Sequence, residues 1–94
     1  PPAGELTVLE VDPLEADLLT LRDVRRIARA DVLIHGGAIV PAILDHARRD
    51  AVRIELAPGG TKIKIVTTAH LRAGKRIVQL MARGQTAHAA LSAV

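Results

Sequence analysis

The sequence contains no cysteine, phenylalanine, tyrosine or tryptophan, and only one methionine. Without cysteine there is no disulfide, no thiol nucleophile and no thiolate metal site. Without aromatic rings there is no platform for unstacked bases, which weighs against single-stranded nucleic-acid recognition. No apolar stretch reaches the roughly 18 residues that a membrane span requires. Charge of one sign never accumulates: 13 basic residues are interspersed with 10 acidic ones, so there is no polybasic or acidic tail. The chain opens Pro1-Pro2-Ala3-Gly4, without an initiator methionine or a signal-peptide pattern. This start reads as a processed, trimmed or fragmentary chain, and the cytoplasm is the compartment expected.

What remains is an aliphatic protein. Ninety-four residues carrying 49% hydrophobic side chains make one domain, whose core has to be built from Leu, Ile, Val and Ala. Leu6–Val11 reads as a strand ended by Asp12-Pro13. Asp17–Ala30 reads as a helix, with Leu21, Val24, Ile27 and Ala28 on one face and Arg22, Arg25, Arg26 and Arg29 on the other. Asp31–His35 is a second strand, apolar enough for burial on both faces. Pro41–Arg49 is a helix with proline in its first turn, and Val52–Leu56 a third strand, followed by the turn Pro58-Gly59-Gly60. Lys62–Ala73 alternates like a strand but also places Ile63, Val66 and His70 on one helical face, with Gly74 as a stop. The alternation already running favours a helix there. Ile77–Met81 is a fourth strand, and Gln85–Val94 a last, alanine-rich helix. This β-α-β-α-β-α-β-α order predicts an α/β fold: a mostly parallel sheet with helices on both faces. Ligands then belong beyond the carboxyl ends of the strands, at Asp12–Ala16, Gly36–Val40, Ala57–Thr61 and Ala82–Thr86.

Few groups at that edge can do chemistry. None of the four histidines has a metal-ligand partner at motif spacing, so no metal site is expected. His46, His70 and His88 fall on helices as packing or surface residues. His35 closes a strand at the ligand edge. Its simplest role is a local hydrogen bond, yet it is the one side chain at that edge whose charge changes near neutral pH. Gly36-Gly37 and Gly59-Gly60 are isolated pairs, which usually mark turns. The arginine face reads as a solvated helix face, with anion or nucleic-acid binding as its sharper alternative.

Asp17-Leu18-Leu19-Thr20-Leu21 followed by Ala30-Asp31-Val32 is similar to the start of the tetrapyrrole methyltransferases, in particular the uroporphyrinogen-III C-methyltransferase branch that also forms the methylase part of siroheme synthase. Ile39-Val40-Pro41-Ala42-Ile43-Leu44 resembles its Leu-Val-Ser-Pro-Glu-Ile-Leu, and Ala47-Arg48-Arg49-Asp50-Ala51 is also typical of it. Arg72-Ala73-Gly74-Lys75-Arg76-Ile77-Val78 resembles its Arg-Ala-Gly-Lys-Arg-Val-Val. The likeness runs from about Leu6 to Gly84.

The resemblance implies methyl transfer from S-adenosylmethionine to a tetrapyrrole, in siroheme or cobalamin synthesis. It also implies a two-domain homodimer, of which this chain is the first domain and lacks the C-terminal half. The ligand loops depart from the family pattern. Gly-x-Gly-Pro-Gly-Asp-Pro becomes Glu10–Ala16, keeping only Pro13. Tyr-Asp becomes His35-Gly36, and Gly-Lys-Arg falls on Ala57-Pro58-Gly59. Lys-Gly-Gly-Asp-Pro becomes Met81–Gln85, keeping Gly84. The family-loop positions carried over are Pro13 and Gly84, for the cofactor; His35, Gly36 and Gly37 are the substrate candidates because they lie at the carboxyl ends of the strands. No catalytic residue is carried over. Leu14 and Met81 are expected to close the ligand edge. The chain on its own is expected to be inactive, with a dimerising or partner-binding module as the alternative.

Overall fold

Along Glu5–Val11 every second side chain turns the same way. Leu9 and Val11 are buried, whereas Leu6 and Val8 are exposed. The computed structural model describes residues 3–57 and 59–83. Within them the order is β1 (Glu5–Val11), α1 (Leu21–Arg29), β2 (Val32–His35), α2 (Pro41–Leu44), β3 (Val52–Glu55), α3 (Thr61–Arg72) and β4 (Arg76–Ala82). The helix expected over Gln85–Val94, and Pro58 of the third turn, lie outside the described residues.

The four strands form one parallel sheet in the order β1-β4-β2-β3. The expected α/β architecture is therefore present. Leu9, Val11, Leu33, Val78 and Leu80 pack on one face against Ile27 of α1 and Ile43 and Leu44 of α2. Val32, Ile34 and Ile77 pack on the other against Ile63, Val66 and Leu71 of α3. The three connections share one hand, as the crossover rule for parallel strands requires. The first two run from β1 towards β3 and place their helices on one face, and the third runs back and places α3 on the opposite face. Five large aliphatic side chains, Ile27, Leu33, Ile34, Ile43 and Ile77, are 0% exposed. Each contributes roughly 1.5–3 kcal/mol by burial, which replaces the aromatic residues that the core lacks.

Two helices differ from the sequence expectation. Asp17–Ala30 is not continuous: Ala16–Leu18 forms a 3-10 turn, and α1 starts only at Leu21. Thr20 interrupts it with a capping box. Its hydroxyl accepts the Asp23 N–H at 3.0 Å, while the Asp23 carboxylate accepts the Thr20 N–H at 3.3 Å. The break also turns Leu21 outward. It is 77% exposed, so it does not share the packed face with Ile27. Pro41–Arg49 is helical only to Leu44. Beyond it the chain turns so that Ala47 enters the core and the Arg48 guanidinium reaches Asp31. α3 is a helix, as the alternation favoured. It ends in a Schellman motif: Gly74 at φ 75° donates to the Leu71 carbonyl, and Lys75 to the His70 carbonyl.

At the amino edge of the sheet, Asp31 ties three segments together. Its carboxylate accepts the Arg76 N–H at 2.8 Å and the Arg48 guanidinium at 2.9 Å. Its own N–H donates to the Arg76 carbonyl, and its carbonyl accepts from Val52. The Arg76 N–H first, and then the Arg48 guanidinium, hold the Asp31 carboxyl below its ordinary value. A folded-state value below the unfolded one adds stability above the unfolded value. That stability is lost as pH falls through the folded value. Solvent screening at a side chain 36% exposed keeps the gain small. Asp31→Asn is expected to lower unfolding free energy by about 1 kcal/mol at neutral pH. Urea unfolding at decreasing pH should show the gap between the two proteins persisting down to the ordinary aspartate range and closing below it.

Candidate functional site

The carboxyl ends of β2, β3 and β4 point towards one edge, and a cavity of about 220 Å³ opens there. Ile34, Gln79 and Met81 come from one face of the strands, and His35 and Leu80 from the other. Gly36–Ile39, Leu56 and Ala57 of the following loops, with Ile63 from the first turn of α3, complete the wall. The register explains the meeting: Ile34 lies beside Gln79, and His35 beside both Leu80 and Glu55.

Three of the sequence-derived positions, His35, Gly36 and Gly37, line this cavity. His35 is buried, and its Nδ1 donates to the Gly36 carbonyl at 2.9 Å. That contact is the local hydrogen bond expected for a strand-end histidine. Because a carbonyl can only accept, this contact places a proton on Nδ1. A Cβ on Gly36 would meet nothing within 4 Å, whereas one on Gly37 would lie 3.3 Å from the Glu55 carboxylate. Gly37 therefore makes room for Glu55, while Gly36 leaves open space.

Pro13 does not line the cavity. Its carbonyl accepts the Val40 N–H at 2.8 Å, tying the loop after β1 to the start of α2. Gly84 lies outside the described residues. The expectation that Leu14 and Met81 close the edge fails for Leu14. That side chain is 72% exposed and absent from the wall, because the loop after β1 turns outward at Pro13-Leu14. Met81 is buried and forms part of the wall. Sequence reasoning missed Gln79. Its amide donates towards the Met81 sulfur at 3.2 Å, and the signal was one amide within the apolar run Ile77–Met81.

Among the described residues no Asp, Glu, Lys or Arg lines the cavity, and no group of three or more His, Asp or Glu side chains could hold a metal ion. No helix among them is long and apolar enough to cross a membrane. The chemistry on offer is an apolar wall, one imidazole, one carboxamide and loop backbone.

No protein-family model matches the chain. Curated relatives do. Siroheme synthase of Tolumonas auensis is 33% identical over 84 residues, which cover 82% of this chain and 18% of the synthase. Siroheme synthase 1 of Halorhodospira halophila is 36% identical over 84 residues, covering 89% of this chain and 17% of the synthase. The chain belongs to the tetrapyrrole methylase family. It spans less than a fifth of the length of either relative. The solved structure of a cobalt precorrin-4 methyltransferase, a cobalamin biosynthetic enzyme, superposes with a TM-score of 0.72 over 82% of this chain and 33% of its own. At 19% identity this likeness shows the shared fold. The chain is thus a tetrapyrrole methyltransferase-like domain.

Of the two polar side chains in the described wall, His35 is buried and Gln79 half-buried. His35→Ala removes a buried ring and the partner of the Gly36 carbonyl. Urea unfolding should show a loss of about 1–2 kcal/mol. His46→Ala, at an exposed position, should leave the midpoint unchanged.

Proposed function

We propose that this chain is a methylase-type scaffold of the uroporphyrinogen-III C-methyltransferase branch that does not catalyse methyl transfer alone. One observation carries the reading. The cavity lies at the carboxyl edge of a sheet homologous to part of siroheme synthase, yet its described wall holds no Asp, Glu, Lys or Arg side chain.

S-adenosylmethionine, the methyl donor the family resemblance implies, is a poor fit to these residues on their own. It carries a sulfonium, an ammonium and a carboxylate, and burying such charges without partners is costly. A cavity of about 220 Å³ is also below the usual range for sites that enclose a whole ligand, roughly 300–1,000 Å³. No step of methyl transfer is therefore assigned to its side chains. In this reading the wall forms one side of a composite site, completed by a second methylase domain on the same or another polypeptide. A homodimer or a partner-binding module is the second reading. It is favoured by Leu6 and Val8, which are 42% and 53% exposed on the sheet face that α3 leaves uncovered at β1.

The test is incubation of the 94-residue chain with uroporphyrinogen III and methyl-labelled S-adenosylmethionine. No label should reach the tetrapyrrole. Transfer clearly above a no-protein control would overturn the proposal.

A further inference from the structure

The helix α1 carries a surface that the candidate site does not use. At about 100° per residue, Leu21, Arg25, Arg29, Arg22 and Arg26 follow one another around a single side of the helix. Ile27, at the opposite side, is 0% exposed. All four arginines are exposed. Among the described residues none of them forms an ion pair, whereas Arg48, Arg53, Arg76 and Arg83 all do. The helix's one carboxylate, Asp23, is engaged by the Thr20 N–H. The positive charge of α1 is therefore not compensated within the described surface.

A solvated face would be the sufficient explanation of four arginines alone. Leu21, one turn before Arg25 on the same side of the helix, changes the balance. Leu21 heads the stripe at 77% exposure, and the run-in to the helix exposes Leu14 at 72% and Leu18 at 53%. These are three of the most exposed large apolar side chains among the described residues, and they fall within eight positions of one another. Leu21 is held outward by the Thr20 cap, so its exposure is set by the local fold.

We infer that the Leu21–Arg29 stripe is a docking surface for an acidic, leucine-bearing amphipathic segment of a partner protein. Charge complementarity selects the partner. Guanidinium forks pair carboxylates in bidentate fashion, and four of them on two turns match carboxylates spaced three and four residues apart on a facing helix. The leucines decide between classes of polyanion. A nucleic acid supplies phosphates but no apolar ridge for Leu18 and Leu21. A bilayer would take the leucines, but α1 already commits its Ile27 face to the sheet and has no aromatic residue for the interface.

The experiment titrates the full 94-residue chain into three fluorescent probes. One is a synthetic helical peptide with glutamates at i, i+4 and i+7 and leucines along the adjoining edge. The others are a peptide of the same charge with serine in place of leucine, and a short DNA duplex. Vesicles of phosphatidylcholine with phosphatidylserine form a fourth arm, read by sedimentation. The leucine-bearing peptide should bind tightest. Arg25→Glu with Arg29→Glu should weaken it by about tenfold or more, and Leu21→Ser by roughly threefold. All three side chains are exposed, so unchanged thermal melting of the variants checks that the fold is intact. Three results would each overturn the proposal: no binding of the peptide, equal binding of the serine peptide, or tighter binding to duplex or vesicles. None depends on methyl transfer, so this surface and the proposed function stand or fall separately.

Discussion

The structure depends on the insertion of β4 between β1 and β2. Every residue from Glu5 to Val11 is paired with one from Arg76 to Ala82, and Val32 to His35 are paired with Ile77 to Leu80. Without β4 the first strand has no neighbour among the described residues, because β1 and β2 do not touch in the ladder. Segments more than forty residues apart in sequence must therefore meet before the sheet exists, which is the costly non-local step in such topologies. The buried aliphatic side chains on both faces of β4, Ile77 and Val78 above all, offset that cost.

The same insertion builds both ends of the sheet. At the amino edge it brings the Arg76 N–H to the Asp31 carboxylate. At the carboxyl edge it brings Leu80 beside His35, adds Gln79 and Met81 to the same cavity wall, and brings the Arg83 N–H to the Val11 carbonyl at 2.7 Å. Two of the strings that carry the family resemblance, around Asp31 and around Arg76, meet at the amino edge. They fix strand order, not chemistry. This explains how a chain can keep the methylase scaffold while the wall of its ligand edge carries no Asp, Glu, Lys or Arg among the described residues.

Element types were readable in the sequence because the local signals are strong. The alternating Val52, Ile54 and Leu56, the apolar run Val32–Ile34 and the stop at Gly74 all mark what the structure contains. Strand order was not readable, since nothing in β1 alone says that β4 will lie beside it. The break at Thr20 was available as a Thr-x-x-Asp cap, but the apolar spacing of Leu21 with Val24 and Ile27 obscured it. α2 stops early because the contacts of Ala47 and Arg48 outweigh local helix propensity. The topological rule for parallel sheets placed Pro13, His35, Gly36 and Gly37 at the same edge. The last three line the cavity, whereas Pro13 does not, its carbonyl serving as a tether for the Val40 N–H. Gln79 waited for the register, which alone shows that the odd polar residue of β4 falls next to Ile34.

The central claim is that β4 is the element on which the whole sheet closes. Native-state hydrogen exchange of the full chain under increasing denaturant tests it directly. The amides of Ile77–Met81, Leu33–His35 and Leu9–Val11 should exchange through one shared opening, at the free energy of global unfolding. Exchange of the β4 amides at a distinctly lower free energy, with β1 and β2 still protected, would contradict it.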